Sequence, residues 1–334
     1  MAGLNPESRN LLKQTSRSFY LTLRALPGAV RSQIGLAYLL ARTTDTIADT
    51  EIVPMEQRLR ALQQLRERIR GADEAPLDFT TLADRQGDPA ERELLKQCDR
   101  SLAGLRGLAP DDLQRLRDVL RTIISGQELD LQRFAGASRD NIIALPTEGE
   151  LDDYTYRVAG CVGEFWTKMC RTHLFPDATL DEARLLKDGV RFGKGLQLVN
   201  ILRDLPADLR KGRCYVPMDE LARNGLSPAD LLQEANQARF APLYRRYLNR
   251  AEAHLVAGWN YTNTVPYGQV RVRLACAWPI LIGMETIRRL RSGNILDASQ
   301  RIKVSRAEVR RIIVQTLVRY PFGSVWRRLG PMAA

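Results

Sequence analysis

The 334-residue chain has no run of roughly 18 or more uncharged apolar residues, so no membrane-spanning helix is expected. Its first residues, MAGLNPESRNLLKQ, lack the apolar core of a secretion signal, and the protein is expected in the cytoplasm. Cysteine is sparse: Cys98, Cys161, Cys170, Cys214 and Cys276 are five in number and lack CxxC spacing. That pattern fits free thiols in a reducing compartment and argues against a zinc site. Strand-like alternation is scarce, and there is no fixed-period repeat or low-complexity stretch. Neither a GxGxxG nucleotide fingerprint nor an RNA-binding fingerprint occurs, and no nucleic-acid partner is expected.

Hydrophobic residues make up 44% of the chain and charged residues 27%, ordinary values for a globular protein with a sizeable core. Helical spacing recurs nearly everywhere. It predicts helices near 7–24, 30–49, 55–70, 90–106, 111–134, 151–172, 180–205, 228–260, 268–292 and 305–319. Pro27-Gly28, Pro54, Gly71 to Pro76, Pro110, Pro146 to Gly149 and Pro176 punctuate them. Residues 71–89 are the most loop-like stretch but too short to separate domains. The expectation is one all-α domain over 1–334, with a core of about 10–320 and a tail over 321–334. The formal charge of +11 suits a phosphorylated small molecule, anionic lipid or nucleic acid, and equally suits solvated arginine-rich helix faces.

The segment LLARTTDTIAD, Leu39 to Asp49, ends an apolar helix with Asp45 and Asp49. Residues four apart share a helix face, so the two carboxylates point the same way. Burying two like charges together is costly, whereas an exposed helix end would carry them cheaply. A second pair alters the balance. In GKGLQLVNILRDLPADLRKGRCYVP, Asp204 and Asp208 again follow an apolar helix, with Asn200 one turn earlier. Pro206 lies between these acids, so the helix is expected to kink or end near Leu205. Two acid pairs relieve their repulsion by sharing hard cations; carboxylate oxygens suit Mg2+, whose shell substrate phosphates complete. Arg203, Arg210, Lys211 and Arg213 nearby fit a diphosphate. In LDDYTYRVAGCVGEFW, Tyr154 precedes the small residues Ala159, Gly160, Cys161 and Gly163, which permit close approach of a ligand or of another helix.

Four blocks in order then resemble one family: Ser16-Arg17-Ser18-Phe19, Arg42 with Asp45 and Asp49, Tyr154 through Gly163, and Gln197 through Pro217. They are similar to the squalene/phytoene synthases, the head-to-head prenyl synthases, and SRSFYLTLRALP and YTYRVAGCVG look most like squalene synthases. Ala207 departs from the family, standing where an acid commonly precedes the final Asp.

The resemblance implies an isoprenoid-synthase-type helical bundle around a central apolar cavity that takes two farnesyl diphosphates. It implies Asp45, Asp49, Asn200, Asp204 and Asp208 as holders of Mg2+, and Tyr154 as the proton-transfer residue. Ser16, Arg17, Ser18, Phe19, Tyr38, Arg42, Gln197, Asn200, Arg203 and Arg213 would bind substrate. NADPH would reduce presqualene diphosphate to squalene, with Lys303 of KVSRAEV the one candidate contact. Presqualene diphosphate, dehydrosqualene and phytoene are the alternative products. A basic membrane- or RNA-binding module is the alternative outside enzymes, and it leaves both acid pairs unexplained. RYPFGSVWRRLG, Arg319 to Gly330, mixes aromatics and arginines as an interfacial tail would, so peripheral contact with the inner face of a membrane is expected. No obligate protein partner is inferred.

Overall fold

The computed structural model describes residues 6–16, 19–72, 75–297, 299–300 and 302–331. The chain packs as two compact units, Met1–Gln132 with Phe165–Asp177, and Arg133–Glu164 with Ala178–Ala334. Neither unit is contiguous in sequence, so no linker marks a border between them.

The first unit holds α1 (Pro6–Thr15), α2 (Phe19–Ala25), α3 (Gly28–Asp49), α4 (Met55–Arg70), α5 (Thr80–Arg85), α6 (Pro89–Lys96), α7 (Cys98–Ala103) and α8 (Pro110–Arg133). The helix expected over 7–24 is broken after Thr15. There the Thr15 and Ser16 hydroxyls turn back onto the Leu11 and Leu12 carbonyls, giving the backbone an alternative to continuing. The helix expected over 90–106 is divided into α6, α7 and a 3-10 turn over Gly104–Gly107. α3 is the core of this unit: Val30, Leu39, Leu40 and Ile47 are wholly buried. Each contributes about 1.5–3 kcal/mol of apolar burial.

The second unit holds β1 (Ile143–Ala144), α9 (Glu148–Thr155), a π-turn over Tyr156–Gly160, the start of α10 (Cys161–Leu174), α11 (Glu182–Arg210) and β2 (Arg213–Cys214). It continues with α12 (Met218–Arg223), α13 (Gln237–Thr264), α14 (Val270–Ser292), α15 (Arg306–Arg319) and α16 (Gly323–Arg327). The helix expected from 228 starts only at Gln237, after two 3-10 turns over Pro228–Leu232 and Glu234–Asn236. β1 and β2 form a two-residue parallel pair, Ile143 opposite Arg213 and Ala144 opposite Cys214.

α11 does not end at Pro206, one of the two outcomes expected there. It runs unbroken to Arg210 rather than ending near Leu205. Proline has no N–H, so the Leu202 carbonyl four residues earlier loses its helical donor. The Tyr244 hydroxyl of α13 replaces it, donating to that carbonyl at 3.0 Å. The cost of the proline is thereby met from a neighbouring helix, and the helix stays intact through Asp208.

The expected interfacial tail also takes another form. Tyr320 and Trp326 are buried, and Trp326 stacks on Trp259 at 5.2 Å while its Nε1 donates to Asn263. Arg273 donates to the same Asn263 oxygen at 2.8 Å and lies over the rings of Tyr267, Tyr320 and Trp326. The aromatic side chains face the unit rather than solvent because a buried guanidinium gains cation–π partners there. Among the described residues, no helix is long and apolar enough to cross a membrane.

Candidate active site

Asp45 and Asp49 occupy the last turn of α3, which contains no basic residue. That is the electronegative end of the helix macrodipole, where a carboxylate is disfavoured and a cation favoured. Arg42, half-buried one turn earlier, lies 3.6 Å from Asp45 and pairs with Glu91 of α6. Gln127 of α8 donates to Asp45 Oδ1. Protein closes around the Asp45 carboxyl on most sides, although 39% of its side-chain surface stays accessible. This burial, then the charge of Asp49, pushes its pKa up to about 7; Arg42 opposes the rise and Glu91 adds to it. Asp45 and Glu91 thus share Arg42.

The continuous α11 puts Asn200, Asp204 and Asp208 on one face at successive turns, again at a helix C-terminal end. Asn200 is exposed; Gln197, Arg203, Asp204 and Asp208 are half-buried. Arg203 grips its neighbour Asp204 with both arms of the guanidinium, Nε at 2.8 Å and Nη2 at 2.5 Å. The hydrogen bond to Asp204 raises the Arg203 pKa, and the charges of Asp204 and Asp208 add to it. Both acid pairs therefore have the same construction: an apolar helix, a carboxylate-rich C-terminal end, and an arginine just before it.

The turn after α11 depends on Gly212. Its φ is +79°, and a Cβ there would lie 2.3 Å from the backbone of Ser138. That close passage lets β2 pair with β1, setting Arg213 at the strand start and aiming Tyr215 inward. Tyr215 stacks on Tyr154 at 4.9 Å, with the two hydroxyls 3.5 Å apart, and meets Phe134 edge-on at 5.1 Å. Tyr154 itself is buried. The small residues after it are explained by helix packing: a Cβ on Gly163 would lie 1.9 Å from the Gly189 carbonyl oxygen, and one on Gly193 would lie 2.1 Å from that of Ala159. α11 is thereby seated directly against the segment carrying Tyr154.

The remaining expected residues divide. Phe19 stacks on Tyr38 at 5.1 Å, and the half-buried Tyr38 donates to the Thr15 carbonyl at 3.4 Å. Ser16 is buried, its hydroxyl turned onto its own helix. Arg17 and Ser18 lie outside the described residues. Lys303 is exposed, and its backbone carbonyl accepts from Arg289 Nη1 at 2.5 Å. Sequence reasoning missed Glu91, Gln127 and Tyr215 as site residues. Tyr215 carried a local signal, two positions after Arg213 in GRCYVP, and Gln127 lies in ISGQELD, Ile124 to Asp130, where only the glycine drew notice.

Hard oxygen donors at helix C-terminal ends fit Mg2+. Among the described residues no group of three or more acidic, histidine or cysteine side chains forms a complete cage. Each pair instead offers the one or two carboxylates that such an ion takes when phosphate supplies the rest.

The squalene/phytoene synthase family model matches residues 12–308. A bifunctional lycopene cyclase/phytoene synthase of Pyrenophora tritici-repentis is 29% identical over 92% of this chain and 49% of its own length, so the chain spans about half of that relative. The presqualene diphosphate synthase of Rhodopseudomonas palustris is 31% identical over 75% of each chain. Among solved structures, TcSQS in complex with the ligand E5700 has a TM-score of 0.77 at 20% identity, covering 92% of this chain and 84% of that one. The helical architecture is that of these all-α isoprenoid synthases, and the chain belongs to the squalene/phytoene synthase family, whose members are prenyltransferases that condense their substrates head to head.

Proposed function

We propose that this protein is a squalene-synthase-type enzyme: it joins two farnesyl diphosphates through presqualene diphosphate, with reduction to squalene by NADPH as the finishing step. The observation that carries the reading is the duplicated device of an acid pair at the electronegative end of an apolar helix. Such a pair is unfavourable without a cation and useful with one. Asp45 and Asp49, and separately Asn200, Asp204 and Asp208, would hold Mg2+. When bound, that ion neutralises a diphosphate and stabilises it as a leaving group.

The chain's own residues do the rest. Arg42 beside the first acid pair, and Arg203 and Arg213 beside the second, each attract a diphosphate and meet its growing negative charge as the allylic carbon–oxygen bond breaks. An enzyme lowers such a barrier by about 8–23 kcal/mol, and here most of it must come from this clamp. Phe19 and Tyr38 offer a stacked aromatic surface to an isoprenoid tail. Tyr154 moves the proton lost when the cyclopropane closes. A phenol with an ordinary pKa of about 10 is a weak base, so a diphosphate oxygen shares that work. Tyr215, stacked on Tyr154 with the two hydroxyls 3.5 Å apart, holds its ring in place. No step is assigned to the nicotinamide cofactor.

The decisive assay incubates the protein with farnesyl diphosphate and Mg2+, with and without NADPH. Squalene only when NADPH is present is the expected result. A diphosphate product under both conditions overturns the reductive step, and turnover of geranylgeranyl diphosphate alone overturns the substrate. Asp45→Ala and Asp204→Ala are each expected to abolish turnover.

A further inference from the structure

Half of the large apolar side chains exposed among the described residues fall in one short stretch: Val314, Leu317, Val318, Phe322 and Val325. Val314, Leu317 and Val318 stand on the outer face of α15 at spacings of three and four, 58%, 50% and 63% exposed. Phe322 follows one turn on, 61% exposed. The opposite face of the same helix holds the buried Thr316, whose hydroxyl accepts from Trp278 Nε1 at 2.9 Å, so α15 is anchored by one side and bare on the other.

The charges around this face are distinctive. Arg310, Arg311, Arg319, Arg327 and Arg328 are all exposed, and no acidic residue occurs between Val309 and Ala334. Many arginines elsewhere pair with acids, as Arg66 does with Glu128 and Arg289 with Glu308. None of these five forms an ion pair among the described residues. A solvent-facing patch that combines large apolar side chains with unneutralised arginines matches an anionic lipid surface, with apolar groups entering the acyl boundary and guanidinium groups meeting phosphate.

We infer that the outer face of α15 and the turn through Phe322 form a peripheral membrane-docking surface that takes a bilayer carrying anionic headgroups. The choice of a bilayer over a protein partner rests on the proposed prenyl diphosphate chemistry, since a substrate with a long hydrocarbon tail and a water-insoluble product both partition into lipid. The surface differs from the tail expected from sequence: Tyr320 and Trp326 are turned inward, and the contact falls on α15 and Phe322.

The test is co-sedimentation of the full chain with phosphatidylcholine vesicles, with and without phosphatidylserine. Binding is expected only to the anionic vesicles and should fall as salt rises. The variant Leu317→Ser/Val318→Ser/Phe322→Ser should lose about tenfold or more in partitioning while keeping its Tm and its turnover of detergent-dispersed substrate. Arg310→Glu/Arg311→Glu should lose binding to anionic vesicles by a comparable factor. Wild-type protein that stays in the supernatant overturns the proposal, as do variants that bind like wild type. A dimer in sedimentation velocity that the triple variant dissolves, without lipid binding, also overturns it and makes the face a self-association surface. Asp204→Asn, expected to stop turnover, should bind vesicles unchanged, so loss of the functional reading and loss of the docking surface are read separately.

Discussion

At the scale of single residues, Asp45 is the most informative side chain. Its carboxyl titrates at about 7 in the folded protein, against an ordinary value of 3.8. Between those values the folded chain keeps a proton that the unfolded chain has released, so this group makes stability fall as pH rises across that window. Above about pH 7 the ionised carboxylate is a standing penalty on the fold unless a cation relieves it. Without divalent metal, Asp45→Asn should therefore melt at a higher temperature than wild type at about pH 8 and at nearly the same temperature near pH 4. Mg2+ should raise the wild-type Tm more at about pH 8 than at pH 5.5, and should raise the Asn variant's Tm much less. Thermal melts over the pH series measure both effects. A wild-type Tm that ignores Mg2+ at every pH would remove this residue from the metal site. The pairing of Asp45 with Asp49 was legible from spacing alone. Gln127 and Glu91 were not, since they arrive from helices far along the chain and only folding brings them to the carboxylate.

At the scale of elements, the C-terminal end of α11 is held by an exchange of hydrogen-bond donors. Sequence rules stop a helix at Leu205, because they count the donor that Pro206 removes and cannot see the hydroxyl that replaces it. Tyr244→Phe should leave the Leu202 carbonyl buried without a partner and cost about 1–3 kcal/mol of stability. It should also weaken Mg2+ binding, since Asp208 follows the unsupported turn. Pro206→Ala returns a backbone N–H to the same carbonyl. In that background Tyr244→Phe should lose most of its effect, leaving a coupling of about 1 kcal/mol or more in a double-mutant cycle. Additive losses in denaturant unfolding would show that the hydroxyl contributes only generic packing. The long helices α4 and α8 match their sequence expectations within a residue, because uninterrupted apolar periodicity and clear punctuation define them. The breaks at Ser16 and within 90–106 were hidden because those segments keep a helical apolar pattern through short local turns.

At the scale of the whole molecule, 50 basic residues face 39 acidic ones, and the sequence left open whether that excess serves a ligand or only solvates helices. The structure divides it. Many arginines are spent in ion pairs, Arg42 and Arg203 beside the acid motifs among them, whereas the five exposed arginines on and after α15 form none among the described residues. Long-range attraction of a diphosphate is screened as the Debye length shrinks from about 10 Å at 0.1 M salt to about 3 Å at 1 M. Added NaCl should therefore raise KM for the prenyl diphosphate severalfold with little change in kcat, as steady-state kinetics would measure. A kcat that falls in step would place the salt effect on chemistry rather than capture. The two-unit packing was not readable beforehand, because a chain that passes repeatedly between units leaves no linker composition behind.

The π-turn over Tyr156–Gly160 has a consequence for the azimuth of everything around it. One widened coil absorbs a surplus residue and shifts the phase of the downstream helix. Tyr154 can then aim its ring at Tyr215 while Gly163, on the same continuous segment, meets Gly189 edge to edge. A uniform spiral of equal length would present one of these two contacts at the wrong angle. The irregular coil thus acts as a vernier between Tyr154 and the helix that bears the second acid pair.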